Sequence, residues 1–126
     1  MQKITMKMVF ISGKLSGIAH EKFNKEMAKA IRAEGYDVYL PQEQLPRKVH
    51  KNCLEILKNN EKAIGNSDIV LVIFDNMDMG VAMESEYAYV RGKLIIGYRS
   101  TFEKNLGSMV EGCVLVHREL EFSNLK

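Results

Sequence analysis

Apolar and polar positions along this chain alternate between two rhythms, and the rhythm changes at glycines and prolines. Met6 to Ser12 (MKMVFIS) is a short apolar run ended by Ser12-Gly13, which predicts a strand and a turn. From His20 to Glu34 the period lengthens. Phe23, Met27, Ala30 and Ile31 recur at three- and four-residue steps, the pattern of a helix that Gly35 stops. Asp37 to Leu40 (DVYL) reads as a second strand closed by Pro41, and Gln42 to Lys51, polar and holding Pro46, as a loop. Asn52 to Ile64 predicts a helix with Leu54, Leu57 and Ile64 apolar and Gly65 as its cap.

Ile69 to Phe74 (IVLVIF) is continuously apolar and rich in β-branched residues, which suits a central strand covered on both faces. Asp75 to Gly80 follows as a loop, Val81 to Arg91 as a helix ending at Gly92, and Lys93 to Tyr98 (KLIIGY) as a fourth strand. Arg99 to Gly112 has room for a short helix, Val114 to Val116 for a fifth strand, and the last residues read as a polar tail. Strands alternating with helices over short connections predict parallel strands joined by right-handed crossovers. The expected fold is a single-domain, doubly wound α/β sandwich, flavodoxin- or Rossmann-like, with about five parallel strands over residues 1–126.

Composition narrows the function. Hydrophobic residues make up 46% and charged residues 27% of the 126, which excludes a chain whose main state is disorder. No apolar run approaches the roughly 20 residues of a membrane span, and MQKITMKMVFISG lacks the apolar stretch of a signal peptide. Cys53 and Cys113 are too few for a disulfide framework and lack metal-ligand spacing; they read as reduced, half-buried thiols of a cytoplasmic protein.

The net charge is +2, with signs interleaved. The densest basic stretch, Arg47, Lys48, His50 and Lys51 with Lys58 and Lys62 beyond, has no aromatics between its charges. It reads as a solvated face, so neither a nucleic-acid nor a membrane partner is expected. His20, His50 and His117 pair with no serine or cysteine, and neither a metal nor another cofactor is called for.

In an open parallel sheet, ligands bind outside the carboxyl ends of the strands, where helix N-termini also point. The first such end is Ser12-Gly13-Lys14-Leu15-Ser16-Gly17, able to cradle an anion or a sugar through backbone N–H groups. It has neither a Walker loop's closing Gly-Lys-Ser/Thr nor dinucleotide glycine spacing, and an ordinary turn has the same composition. The third strand leads into Asp75 and then Asp78-x-Gly80-x-x-x-Glu84. A helix starting near Gly80 brings Glu84, one turn in, and Asp78, just before it, to one crevice. An N-cap Asp78 and an exposed Glu84 are the plain alternative. Tyr87, three residues on, shares the face of Glu84 and is placed either to hydrogen-bond it or to pack in the core. Glu86 points elsewhere and reads as solvated.

The stretch Ser67-Asp68-Ile69-Val70-Leu71-Val72-Ile73-Phe74-Asp75, the D-x-G-x-x-x-E element, Tyr87-Ala88 and Gly92-Lys93 together resemble the nucleoside 2-deoxyribosyltransferase family. Val9 to Gly13 and Ala33 to Pro41 (AEGYDVYLP) are similar to its first strand, helix end and second strand, so that the resemblance spans residues 8–112. It implies an enzyme of the N-glycosidic bond with Glu84 as nucleophile and Asp78 as the neighbouring carboxylate. Base exchange with retained configuration needs two inversions, hence a covalent glycosyl-enzyme. Ser12, Gly13, Lys14, Ser16, Asp75, Gly80 and Tyr87 then contact substrate. Asn105 and Ser108 are the polar residues that a neighbouring subunit would lend, which implies a homodimer or larger assembly with shared active sites.

The departures from the family pattern bear on substrate. Either Asn60 or Glu61 stands where the family has an upstream acidic residue, the first turn is Gly13-Lys14-Leu15-Ser16, and Leu94 replaces a proline. A branch of the superfamily hydrolyses nucleoside 5′-monophosphates and holds the phosphate with serines and basic residues. Ser12, Lys14 and Ser16 suit that role, and Ser85 follows the nucleophile. The substrate is therefore a small nucleoside or nucleotide. Transfer, monophosphate hydrolysis and a non-catalytic nucleotide-binding module are the three readings.

Overall fold

In chain order the elements are β1 (Met8–Ser12), α1 (Ile18–Ala33), β2 (Asp37–Tyr39), α2 (Pro41–Gln44), α3 (Cys53–Gly65), β3 (Ile69–Ile73), α4 (Met79–Val90), β4 (Leu94–Tyr98) and β5 (Leu115–His117). This computed structural model describes residues 7–13, 18–44, 53–74, 79–98 and 115–117. The strands form one five-stranded sheet in the order β2-β1-β3-β4-β5, and every neighbouring pair is parallel. That is the flavodoxin-type order.

β3 lies in the middle of the sheet, as its unbroken apolar sequence predicts, and all five of its residues are buried. Strand alternation sends Ile69, Leu71 and Ile73 into the core beneath α1, with Ala28 and Ile31. Val70 and Val72 go into the opposite core with Ala63 and Ile64 of α3 and Val81 and Ala88 of α4. Burying such side chains contributes about 1.5–3 kcal/mol each before the entropy cost of ordering them.

α1 and α4 both end in the same device. Gly35 and Gly92 adopt φ of 93° and 70°, a region open to glycine at little cost. Tyr36 N–H then reaches back to Ile31 O while Gly35 N–H bonds Arg32 O, and Lys93 and Gly92 repeat the pair on Ala88 and Tyr89. These are Schellman motifs, which satisfy the last carbonyls of each helix. Gly65 falls inside α3 instead of capping it. Ser67 closes that helix, its hydroxyl donating to Ala63 O at 2.7 Å.

Two ties fix the sheet's amino edge. Asp68 N–H donates to Met8 O, and Met8 N–H donates to Asp68 Oδ2, both at 2.9 Å. Asp37 N–H bonds Lys7 O in the same way at the edge of β2.

Several expectations need correction. Pro41 opens the short helix α2 where a strand stop and a loop were expected; proline is well placed at a first helical position because its missing N–H has no intrahelical partner there. Gln42 holds α2 to α1, its Nε2 donating to Glu21 O at 2.9 Å, and Arg32 forms an exposed ion pair with Glu43. Ala30 is exposed while Asn24 and Ala28 are buried, so the inner face of α1 is set by Asn24, Ala28 and Ile31. α4 begins at Met79, two residues before the expected start. Cys53 is exposed, not half-buried, and Leu54 and Leu57 also face outward. Cys113, the segment 99–112 and the tail lie outside the described residues. No helix among the described residues is long and apolar enough to cross a membrane.

Candidate active site

Because the chain order turns back between β1 and β3, α1 covers one face of the sheet and α3 with α4 cover the other. The carboxyl ends of these two strands therefore open into a crevice. Ser12 is the last residue of β1. Alternation puts Phe10 and Ser12 on the α4 side, while Val9 and Ile11 go under α1. Glu84 lies in the second turn of α4 and is half-buried. The fully buried Ser12 hydroxyl donates to Glu84 Oε1 at 2.8 Å. A hydroxyl bonded to a carboxylate is stronger than a neutral pair, and here it holds the carboxyl group in one orientation.

Gly13 follows at the crevice floor. A Cβ at this position would stand 2.8 Å from Asn24 Oδ1, so the buried Asn24 side chain makes glycine the residue that fits. Asn24 Nδ2 in turn faces Gln42 Oε1 at 3.4 Å, which links the turn to α2.

Glu84 opens onto a cleft of about 800 Å³ between α3 and α4. Its walls are apolar: Ile56, Leu57, Ile64, Val81, Met83 and Val90. Gly13, Pro41 and Gly80 border it, Asn60 and Glu61 add polar groups, and Glu86, exposed as expected, nevertheless lines the cleft and does not point elsewhere. Asn60 and Glu61, between which the sequence left one expected position open, both line the cleft.

Tyr39, at the end of β2, completes this face. Its ring stacks on Phe10, with centroids 5.5 Å apart. Burial, and secondly the negative charge of Glu84, push its phenol above the ordinary tyrosine range. Sequence reasoning did not place Tyr39 on the face of Glu84. The available signal was its place as the outward-alternating last residue of a strand at the sheet's carboxyl edge.

Of the expected site residues, Ser12, Gly13, Gly80, Glu84 and Tyr87 come together around the cleft. Lys14, Ser16, Asp75, Asp78, Asn105 and Ser108 lie outside the described residues. The Tyr87 ring forms cleft wall and core, with the Arg91 guanidinium 4.7 Å above it. Ser85 turns away from the cleft; it is buried and donates to Val81 O at 2.8 Å. It is thus a helix-interior serine bonded to its own preceding turn, with no route to a phosphate. Among the described residues no group of three or more metal-ligating side chains occurs.

The model of the family described as nucleoside 2-deoxyribosyltransferase matches residues 9–121 of this chain. No curated protein sequence matches it. Among solved structures, the chain is similar to a 2-deoxyribosyltransferase from Bacillus psychrosaccharolyticus, with a TM-score of 0.77 at 18% identity over 94% of this chain and 95% of that one. It is similar also to a CMP N-glycosidase from Clostridium botulinum (TM-score 0.66, 16% identity, 90% of each chain). A third is a 2-deoxyribosyltransferase from Leishmania mexicana, with a TM-score of 0.60 at 17% identity over 75% of this chain and 65% of that one. At such identities these likenesses speak for the fold.

Proposed function

Since the chain belongs to the nucleoside 2-deoxyribosyltransferase family, a family of N-glycosyl-bond enzymes, we propose that it transfers the sugar of a (deoxy)nucleoside from one base to another through a glycosyl ester on Glu84. A Glu84 carboxylate oxygen attacks the anomeric carbon as the bond to the base nitrogen breaks. The bonding pair leaves with the base, and Asp78 or a water supplies the proton that neutralises it. A second base then attacks the same carbon from the vacated side, the ester bond breaks, and Glu84 regains its charge. The proton on the attacking nitrogen returns to the group that gave one up. Two inversions leave the configuration unchanged.

The observation that carries this reading is the hydrogen bond from Ser12 to Glu84 at the sheet's switch point. A nucleophile must be held in a near-attack geometry, and a buried donor on one carboxylate oxygen does that. Ser12 thereby changes role, from an expected substrate contact to the residue that orients the nucleophile.

Hydrolysis of nucleoside 5′-monophosphates by the same Glu84 is the second reading, supported by the likeness to the CMP N-glycosidase fold. It has lost one expected phosphate contact, because the Ser12 hydroxyl is committed to Glu84. We also read the protein as a homodimer or larger assembly. Leu54, Met83 and Val90, 57%, 60% and 71% exposed beside the cleft, form an apolar surface that a second copy would cover.

The purified protein is incubated with deoxynucleosides and, separately, with deoxynucleoside monophosphates, each with and without a second free base. A new nucleoside formed only in the presence of acceptor establishes transfer. Free base released from monophosphates regardless of acceptor establishes hydrolysis. No product from any mixture leaves the non-catalytic binding module.

A further inference from the structure

Tyr39 is a polar group on the Glu84 side of the sheet to which the proposed reaction gives no task. It pairs with Phe10 across the β1–β2 register, and the two rings lie within 10° of parallel. Phe10 is fully buried, so the stack fixes the plane of the Tyr39 ring while its edge stays half-exposed. Phe10, Ser12 and Tyr39 share the sheet face that α4 covers, which is the face of Glu84.

Burial, and secondly the charge of Glu84, keeps the proton on the phenol. What stands there is a rigid, neutral O–H donor. A sugar held at Glu84 is presented to the same sheet face on which the stack on Phe10 fixes the Tyr39 ring. A phosphate would be better served by a cation, whereas a sugar hydroxyl suits a neutral phenol.

We propose that Tyr39 is a substrate-positioning residue, its hydroxyl donating a hydrogen bond to a sugar hydroxyl of the nucleoside held against Glu84. This rests on the reading of Glu84 as nucleophile. The stack on Phe10 supplies the rigidity, and the hydroxyl supplies the contact. The two contributions separate by mutation, since Tyr39→Phe keeps the ring and removes only the oxygen.

The test compares Tyr39→Phe and Tyr39→Leu with the wild type in base exchange on a deoxynucleoside. In parallel, calorimetry gives the deoxynucleoside Kd for Glu84→Gln with and without Tyr39→Phe. Tyr39→Phe should melt with the wild type, yet raise KM, and Kd in the Glu84→Gln background, by roughly tenfold, the worth of one hydrogen bond. Unchanged KM and Kd in Tyr39→Phe, with losses only in Tyr39→Leu, would overturn the proposal and leave the ring as packing. A wild type without base exchange would remove the transferase reading, while the Kd ratio would still decide on Tyr39. Failure of Glu84→Gln with Tyr39 intact to bind deoxynucleoside would overturn the Tyr39 contact as well, since no sugar would then be held beside it.

Discussion

Ser12 and Glu84, 72 residues apart in the chain, meet at 2.8 Å as hydroxyl donor and carboxylate acceptor. One ends the strand next to the sheet's centre and the other sits in the second turn of the helix that crosses above it. Ser12 is fully enclosed, so water cannot replace it when it is removed.

Ser12→Ala should therefore lower kcat for deoxynucleosides and monophosphates alike, by about 10- to 100-fold, through a loosened Glu84. Leaving a half-buried carboxylate short of a donor costs about 1–3 kcal/mol. Steady-state kinetics on both substrate classes would decide. A loss confined to KM for monophosphates would return Ser12 to phosphate binding.

Glu84→Ala should reduce turnover by more than about 1000-fold, as removal of a nucleophile does. Nucleoside affinity should change far less. Mass spectrometry of wild-type protein quenched with a slow substrate should show one glycosyl adduct, on the peptide containing Glu84. An adduct that survives in Glu84→Ala would contradict the assignment.

Alkaline pH should act through Tyr39. Its phenol lies above the ordinary value of about 10 in the folded protein and returns to that value on unfolding. The folded form thus holds the proton more tightly. The contribution is intact below pH of about 10 and is lost as pH rises through the higher folded value. The wild-type minus Tyr39→Phe difference in ultraviolet absorbance would follow phenolate formation. Glu84→Gln should move the transition down, but only partway, because burial is the larger cause.

Gly97→Ala should destabilise the protein by about 1–3 kcal/mol, since its methyl would run into the Phe74 ring. Denaturant unfolding measures the loss. Combining it with Phe74→Leu should cost less than the two changes summed, because the smaller side chain gives way.

Features written in local sequence were legible. Five consecutive β-branched and leucine residues could only suit a strand covered on both faces, and Ile69–Ile73 is that strand. The step from Gly80 to Glu84 is a single helical turn, enough by itself to bring the carboxylate close to the sheet's carboxyl end. Pairings across elements are another matter, because no short stretch of sequence contains both partners. The pairing of Ser12 with Glu84 was not legible because its partner is 72 residues along the chain, and Tyr39 went unassigned because its orientation comes from Phe10 on the next strand. Ala30 and Ala28 differ by two positions on a helix whose apolar stripe is interrupted by the buried Asn24. Pro41 was misread because the same residue ends a strand and begins a helix.

The reciprocal bonds between Met8 and Asp68 lie at the opposite end of β1 from Ser12. They act as a key cut for one alignment. If β1 slid by a single residue against β3, Met8 and Asp68 would miss each other, and every side chain of β1 would exchange faces. Ser12 would then look toward α1, and Glu84 would stand without its anchor. Such a molecule could keep its helices and much of its core and still be inert, so that fidelity of the reactive end is checked at the quiet one.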